Sequence, residues 1–149
     1  MPDTRFLWVG GQPIGRLTDG GKDLQQALAS APRNVRLTGP MPLDEMPGYY
    51  NAADVFCLPS HQETFCLAAI EAASCGLPLV LRDLDVFASL FGDAYLGCAE
   101  HDLLAALRRL VSDENDRTVR RARSLALAAA HALDAVVDRF VDFYRGLLA

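Results

Sequence analysis

The sequence predicts an α/β fold in which a Rossmann-like, doubly wound parallel sheet is followed by C-terminal helices. Short apolar runs typical of buried strands alternate with segments of helical periodicity up to residue 111. The connecting loops are short, and strands that alternate with helices over short loops form parallel sheets with helices on both faces. The remainder, residues 114–148, has no proline or glycine before Gly146 and therefore predicts helices alone.

The first elements are justified by periodicity and by turn residues. Residues 5–10 form an apolar strand run that ends in glycines, and residues 19–31 place apolar side chains on one helical face. Residues 34–38 alternate in polarity as a strand does, up to a Gly-Pro pair that interrupts the chain. Residues 43–53 predict a helix whose acidic first turn suits the helix dipole, and residues 54–58 predict a buried strand.

The later elements follow the same rules. A helix rich in small residues, 64–75, is stopped by Gly76, and the apolar run 78–82 predicts a second buried strand. A short helix, an edge strand, a leucine-rich helix and two helices with a bend near residues 130–134 complete the chain, at residues 84–91, 94–96, 100–111 and 114–148. We expect residues 1–149 to form one domain, with its C-terminal helices at 114–149.

Composition and charge exclude several classes of protein. The 149 residues suit one domain with a proper core. The net charge of −5 gives no basic footprint, which argues against nucleic acid as a partner. No apolar stretch reaches the roughly 20 residues that span a bilayer, and no signal peptide is recognisable, so we expect a cytoplasmic protein. The four cysteines form no C-x-x-C pair and the three histidines are scattered, which predicts reduced thiols and no metal site.

Two glutamates are the most informative residues of the chain. Glu63 falls in the loop after a predicted strand, and Glu71 falls two turns into the predicted helix 64–75. Ligands bind outside the carboxyl ends of strands in open parallel sheets, where helix N-termini offer amide donors to anions. A helical path separates the two backbone positions by roughly 12 Å. That spacing suits two carboxylates that bind successive parts of a long polar ligand. The two catalytic carboxylates of a glycoside hydrolase instead lie on either side of one bond. Taken singly, each glutamate is better explained as an ordinary surface acid.

The glycine-rich segment at residues 10–15 does not match known phosphate loops. A dinucleotide-binding loop needs glycine at its third position, which Gln12 occupies. A P-loop needs lysine and a hydroxyl residue after its last glycine, where this chain has Arg16 and Leu17. Two interpretations stay open, a plain turn at the end of a strand and a turn that lines a ligand cleft.

Taken together, several segments resemble one family. These are NVRLTG at residues 34–39, YYNAADVFCLPS at 49–60, and the two glutamates followed by EAASCGLPLV at 71–80. In order and spacing over residues 5–112 they are similar to the nucleotide-sugar-binding domain of retaining GT-B glycosyltransferases of the family 4, or group 1, type. That multi-part match is far more specific than any single element.

The resemblance implies a role for each matching residue. Glu63 corresponds to the glutamate that binds sugar hydroxyls close to the transferring carbon, and is the expected catalytic residue. Glu71 corresponds to the glutamate that holds the ribose hydroxyls. The remaining donor-binding residues are the loop whose amides face the diphosphate, the family's base-binding edge, and the end of the first strand: Thr64, Phe65, Cys66 and Leu67; Gly39, Pro40 and Met41; and Gly10.

The resemblance also implies a reaction and its partners. The donor is a nucleotide diphosphate sugar of the UDP-glucose type, the hexose is transferred with retention, and neither metal nor cofactor is required. The acceptor-binding N-terminal domain and the first β-α unit have no counterpart in the chain, so we expect a fragment that is inactive alone. The family's loop is usually G-F-G-L, where this chain has Thr64-Phe65-Cys66-Leu67, and the β-carbon of Thr64 narrows the expected sugar pocket.

A finer resemblance concerns the acceptor. Residues 81–97 are similar to bacterial glycosyltransferases that glucosylate diacylglycerol, which implies a lipid acceptor and work at the inner face of the membrane. The alternative is that Arg82 and Asp83 merely pair locally at a strand end.

A second basic feature is a group of four arginines between residues 117 and 123. It is interpreted as a solvated helix face in preference to a contact with anionic lipid.

Two other functions compete with the glycosyltransferase. A stand-alone module that binds a nucleotide sugar and regulates another protein would show the same binding residues. A phosphoacceptor signalling domain on a similar sheet is disfavoured, because it needs acidic residues at the end of the first strand and residues 8–11 supply none.

Overall fold

A computed structural model of the protein describes residues 1, 3–11, 26–27 and 29–148. The chain divides into two compact units, Met1–Tyr49 and Tyr50–Ala149, each with its own parallel strands. The helix predicted at residues 19–31 lies outside the described residues except at its end.

The first unit is built on a pair of parallel strands, β1 (Phe6–Val9) and β2 (Val35–Gly39). Phe6 lies opposite Val35, and the Phe6 amide donates to the Asn34 carbonyl at 2.8 Å. The Asn34 side-chain amide donates to the carbonyls of Met1 and Thr4, at 3.1 and 2.8 Å. Asn34 therefore fixes the chain that leads into β1.

The helix predicted at residues 43–53 is divided. Leu43–Glu45 is a 3₁₀ turn, and the α-helix α1 (Met46–Asn51) follows it. Pro47 has no N–H, so it cannot complete an α-helical bond back to the carbonyl of Leu43, but it is tolerated in the first turn of a helix. The α-helix accordingly begins one residue before Pro47.

The second unit contains three parallel strands in the order β3-β4-β5, which are β3 (Phe56–Leu58), β4 (Leu79–Arg82) and β5 (Tyr95–Cys98). Phe56 pairs with Leu79 and Leu79 with Tyr95, so the carboxyl ends of all three strands meet at one edge. The helices α2 (Leu67–Ser74) and α3 (Asp85–Phe91) form the crossovers. This edge carries the loop in which the sequence places Glu63.

The core of the second unit surrounds its central strand. Leu79, Val80 and Leu81 are completely buried on both faces of β4. Val80 packs with Leu110 of a C-terminal helix, whereas Phe87 on α3 stacks on Phe91 at 5.4 Å and meets Tyr95 edge-on at 6.0 Å, in ring-centroid distances. The fully buried run explains why β4 reads as continuously apolar in sequence.

The C-terminal helices are α4 (Leu103–Ser112, after a 3₁₀ turn at Glu100–Asp102), α5 (Glu114–Ala130) and α6 (Leu133–Leu148). The bend between α5 and α6 falls where the sequence predicts it. The Asp113 carboxylate caps α5 by accepting from the Asp116 amide at 2.9 Å. No residue of α6 is buried, although one side of the helix is apolar. Within the described part of the chain, no helix is long and apolar enough to cross a membrane.

The expectation of a solvated arginine face on α5 is wrong for two residues. Arg120 is 8% exposed and its guanidinium pairs with Asp116 at 3.0 Å, while Asp116 also pairs with Arg109 of α4 at 2.8 Å. Arg117 donates to the carbonyls of Leu110 and Val111, both at 2.7 Å, at the end of α4. Arg117 therefore bonds α5 to the end of α4. Arg120 shares the carboxylate of Asp116 with Arg109 of α4, which links the same two helices.

Stability at alkaline pH is expected to depend on the thiol of Cys57 in β3. Burial, followed by the neighbouring Cys98, raises the pKa of Cys57 from 9.0 to about 11. Between these two values the unfolded chain binds fewer protons than the folded one, so the free energy of unfolding falls as pH rises. Urea unfolding from pH 8 to pH 11 gives the free energy of unfolding of wild type and of Cys57→Ala. Over this range the free energy of unfolding of Cys57→Ala should fall by roughly 2 kcal/mol less than that of wild type. Parallel pH profiles for the two proteins would contradict the assignment.

Candidate functional site

The site centres on the loop of residues 59–66, which connects β3 to α2 at the carboxyl edge of the strands. The helix begins at Leu67, so the predicted start at residue 64 is wrong by three residues. Thr64, Phe65 and Cys66 belong to the loop, and Glu71 lies about one turn into α2 instead of two. The reason is the backbone of Cys66, which has φ of 65° and cannot continue into a right-handed helix.

Cys66 is the one described residue other than glycine that has a positive φ. Its carbonyl accepts from the Ala69 amide at 3.1 Å, which starts the first turn of α2. A β-carbon in this conformation costs about 1–2 kcal/mol, and glycine avoids that cost. The position therefore has the geometry that explains the glycine of the family's G-F-G-L loop, although this chain fills it with cysteine.

The structure gives Glu63 and Glu71 a common neighbour. Glu63 is half-buried in the loop, and Glu71 is exposed on α2. The pKa of the Cys66 thiol is raised chiefly by burial, and both carboxylates raise it further, while the Ala69 amide opposes them. Both acids thus lie close enough to the same thiol to act on it electrostatically. The two glutamates flank one short stretch of backbone, as the sequence predicts.

Tyr50 is a functional candidate that the sequence reasoning did not single out. Its hydroxyl donates to Oε2 of Glu71 at 2.8 Å. Burial and this hydrogen bond both raise the pKa of Tyr50 above its ordinary value. The two residues are 21 positions apart in sequence, so no local spacing reveals the pair. The only signal was the place of Tyr50 inside one of the segments that match the family.

A second set of contacts anchors the loop of residues 59–66 from β4. Arg82, at the end of β4, donates from Nε to the Pro59 carbonyl at 3.3 Å. Its Nη2 lies 3.3 Å from Nε2 of His61, and its Nη1 pairs with Oε2 of Glu100 at 3.2 Å. Arg82 therefore ties the end of β3 and the loop after it to the segment that follows β5.

Asp83 is held separately from Arg82. Its Oδ1 accepts from the Tyr95 hydroxyl at 3.1 Å, and this bond together with burial raises the pKa of Tyr95 to about 12, with burial the larger cause. Both residues thus have structural partners at the edge of the sheet. Arg82 and Asp83 each have partners that are distant in sequence, so tertiary contacts take the place of the local pairing considered from the sequence.

Four of the predicted donor-binding residues lie in the first unit. Gly10 and Gly39, at the ends of β1 and β2, have φ of 137° and 77°, which glycine adopts readily. The Gly10 amide donates to the Gly39 carbonyl at 3.1 Å, so the structure brings these two together. Pro40 is exposed and Met41 half-buried directly after Gly39. The rest of the glycine-rich turn, residues 12–15, lies outside the described residues.

The predicted site residues do not line either of two cavities in the second unit. One of about 350 Å³ lies beside β5 and α4 and includes Asp83, Cys98 and Arg109 in its lining. The other, of about 240 Å³, lies between the start of β4 and α5, with Gly76 and Arg121 in its lining. The described side chains contain no group of three that could hold a metal ion.

Chemically, the site is a set of oxygen acceptors beside free backbone donors. Ionised carboxylates accept several hydrogen bonds and suit neighbouring hydroxyl groups, and such charge-assisted bonds are about twice as strong as neutral ones. The first amides of α2 lack partners within the helix and attract negative charge. Fold and site together define an α/β protein in which two carboxylates and a helix N-terminus lie close to one loop at the carboxyl edge of its strands.

The sequence profile of the family "Glycosyl transferases group 1" matches residues 1–113. The chain belongs to this family. It is 35% identical over 99 residues to an alpha-galactosylglucosyldiacylglycerol synthase from Streptococcus pneumoniae, a match that covers 66% of this chain and 26% of that protein. It is 32% identical over 120 residues to a D-inositol 3-phosphate glycosyltransferase from Streptosporangium roseum, covering 77% of this chain and 28% of the relative.

Solved structures show the same fold. A sucrose-phosphate synthase from Thermosynechococcus elongatus matches with a TM-score of 0.73 at 24% identity, over 95% of this chain and 38% of that one. A pneumococcal O-GlcNAc transferase solved with UDP and GlcNAc matches with a TM-score of 0.70 at 21% identity, over 99% of this chain and 30% of that one. The predicted fold class, an α/β fold of the GT-B type with C-terminal helices, is confirmed. The chain spans between about a quarter and two fifths of the length of these four proteins.

The left-handed backbone at Cys66 leads to a test of local stability. Cys66→Gly should raise the free energy of unfolding by about 0.5–1 kcal/mol, because relief of strain exceeds the entropy that glycine loses on folding. Cys75→Gly is the matched control, since Cys75 has φ of −84° at the end of α2 and gains no such relief. The control should lose about 0.5–1 kcal/mol. Urea unfolding that shows equal losses for both variants would exclude strain at residue 66.

Proposed function

We propose that this chain is the donor-binding half of a retaining glycosyltransferase that transfers a hexose from a nucleotide diphosphate sugar of the UDP-glucose type. One observation carries the proposal. Two carboxylates, Glu63 in the loop at the carboxyl end of β3 and Glu71 about one turn into α2, lie on either side of Cys66, whose left-handed backbone precedes that helix. This is the arrangement that a ligand with two separate sets of hydroxyl groups requires.

Each part of the site takes one part of the donor. Glu71 accepts hydrogen bonds from the ribose hydroxyls, and Glu63 accepts them from hydroxyls of the hexose near the carbon that is transferred. The diphosphate lies against the amides of residues 64–67, where the loop enters α2. As the bond to the sugar breaks, negative charge grows on the departing nucleoside diphosphate. Preoriented amide donors and the helix dipole stabilise that charge, which lowers the barrier.

From the family resemblance, we propose that the base contacts Gly39, Pro40 and Met41. Gly39 is the last paired residue of β2, and Gly10 closes the neighbouring strand end through its bond to Gly39. Both positions have a positive φ, which favours glycine, so no β-carbon covers the backbone at either of them. A flat nucleobase needs such an open backbone surface beside apolar atoms.

The names of the matched proteins support a sugar donor, and one of them supports a lipid acceptor, whereas the Streptosporangium roseum relative is named for inositol 3-phosphate. One solved relative was crystallised with UDP and GlcNAc, and one curated relative is a synthase of a glycosylated diacylglycerol. We propose UDP as the nucleotide and a lipid such as diacylglycerol as the acceptor. In that case the full-length protein works in the cytoplasm, at the inner surface of the membrane.

We further propose that residues 1–149 act as one donor domain and that transfer requires an acceptor-binding domain. The four matched proteins named above are about two and a half to four times as long as the part that this chain covers. The chain alone should therefore bind the donor without transferring the sugar. A radiolabelled UDP-hexose and diacylglycerol vesicles allow sugar transfer to be measured. Detectable transfer by residues 1–149 alone would overturn the proposal that an acceptor-binding domain is required.

Protection of Cys66 tests the proposed position of the donor. Its thiol is half-buried with a raised pKa, so alkylation should be slow at pH 7.5 and measurable at pH 9. Saturating UDP should slow alkylation of Cys66 at pH 9, as read by fragment-ion mass spectrometry, because the diphosphate covers the loop. Cys75, at the far end of α2, is the internal control and should react at an unchanged rate. UDP that binds without protecting Cys66 would place the nucleotide elsewhere.

A further inference from the structure

We infer that Tyr50 is a positioning residue for Glu71, whose carboxylate it holds in the orientation that receives a vicinal diol. The inference rests on the proposed function of Glu71 as the residue that binds the ribose hydroxyls. It adds a residue outside the loop and outside α2 to the donor site.

The hydrogen bond is well formed. The Tyr50 hydroxyl donates to Oε2 of Glu71 across 2.8 Å, a distance typical of a hydroxyl bound to an oxygen acceptor. Glu71 itself lies exposed on α2, where a long acidic side chain samples several rotamers. A donor at one carboxylate oxygen selects a subset of those rotamers before any ligand arrives.

Tyr50 can act in this way because its ring is fixed. The residue is only 7% exposed, and its ring packs edge-on against Phe56 of β3 with a centroid distance of 6.2 Å. The hydroxyl therefore projects from the core toward α2 on a support with two torsions. Packing of the ring sets the position of the hydroxyl relative to the sheet. The hydrogen bond then fixes the position of the Glu71 carboxylate.

The protonation state of Tyr50 supports the same role. Burial and the carboxylate of Glu71 raise the pKa of the phenol, so its proton stays in place at neutral and moderately alkaline pH. A neutral phenol donates one hydrogen bond and leaves the charge of Glu71 intact. One lone pair of Oε2 is used, so Oε1 and the second lone pair of Oε2 remain for two adjacent hydroxyl groups. The ligand class that fits is a cis-diol.

The test compares UDP with 2′,3′-dideoxy-UDP, which lacks the diol, by calorimetric titration. Wild type should prefer UDP, and Glu71→Ala should lose the preference. Tyr50→Phe keeps the ring but removes the hydroxyl, and should reduce the preference by about fivefold through lost preorganisation of one side chain. In the Glu71→Ala background, Tyr50→Phe should change nothing further.

Tyr95→Phe is the matched control. Tyr95 is also buried, at 8% exposure, and its hydroxyl also donates to a carboxylate, that of Asp83. Removing this hydroxyl should leave the preference for UDP unchanged. Glu71→Asp is a second variant should Tyr50→Phe fail to fold, because the shorter carboxylate keeps its charge but withdraws from Tyr50. It should lower the preference as Tyr50→Phe does.

The outcomes separate the inference from the proposed function. Wild type that binds both nucleotides equally contradicts the role of Glu71 itself. A second outcome is that wild type prefers UDP and that this preference depends on Glu71. If Tyr50→Phe or Glu71→Asp then keeps the full preference, only the role of Tyr50 is overturned. If Tyr50→Phe weakened the binding of UDP and of 2′,3′-dideoxy-UDP by the same factor, Tyr50 would be a structural residue. That result would also overturn the inference.

Discussion

Glu71→Ala is expected to weaken binding of UDP by roughly 10- to 100-fold, whereas Glu63→Ala leaves UDP nearly unchanged and removes the added affinity of a UDP-hexose. The physical reason is that each carboxylate contacts a different part of the donor. Loss of a hydrogen bond to a charged group costs about 1.5–3 kcal/mol, and every 1.4 kcal/mol is a tenfold change in affinity. Calorimetric titration of wild type and both variants with UDP and UDP-glucose measures the difference.

The control for these variants is Asp138→Ala on α6. Asp138 is an exposed acid of the C-terminal helix, so the variant makes the same change in net charge without touching the loop or α2. Its affinities should match those of wild type. If both glutamate variants weakened UDP and UDP-glucose by the same factor, the division of the donor between Glu63 and Glu71 would be wrong.

Phe87→Ala is expected to lower the free energy of unfolding by about 3–5 kcal/mol, a large part of the stability of a small domain. Phe87 is fully buried, stacks on Phe91 and meets Tyr95 edge-on. Truncation removes the transfer free energy of the ring and leaves a cavity beneath α3. Urea unfolding followed by far-UV circular dichroism gives the change.

Phe143→Ala provides the comparison for the core variant. Phe143 lies on α6 with 61% of its surface exposed, and its ring meets that of Tyr144 edge-on at 5.8 Å between centroids. Its removal should alter stability by less than about 0.5 kcal/mol. A loss at Phe143 as large as that at Phe87 would show that α6 is buried in solution against another surface.

The strands and most helices could be predicted from the sequence because local signals fix them. The apolar run of β4 is buried on both faces, and the bend between α5 and α6 occurs where the chain changes pattern. The start of α2 could not be placed, because the left-handed residue that delays it is a cysteine. A glycine at position 66, as in the family's loop, would have marked the turn.

The candidate site was predictable in part. Glu63 and Glu71 could be proposed from the sequence because the loop and helix that carry them are adjacent in sequence. Tyr50 and the partners of Arg82 were not found, since these contacts join residues 18 or more positions apart that meet only through tertiary packing. The buried position of Arg120 was missed for the same reason, because it depends on the way in which α5 lies against α4.

A crystal structure of the chain bound to UDP-glucose examines the assignment of the donor most directly. We expect the ribose hydroxyls within hydrogen-bond distance of Glu71, the glucose hydroxyls at Glu63, and the diphosphate against the amides of residues 64–67. A nucleotide seated on a different face, with both carboxylates free of the ligand, would contradict it.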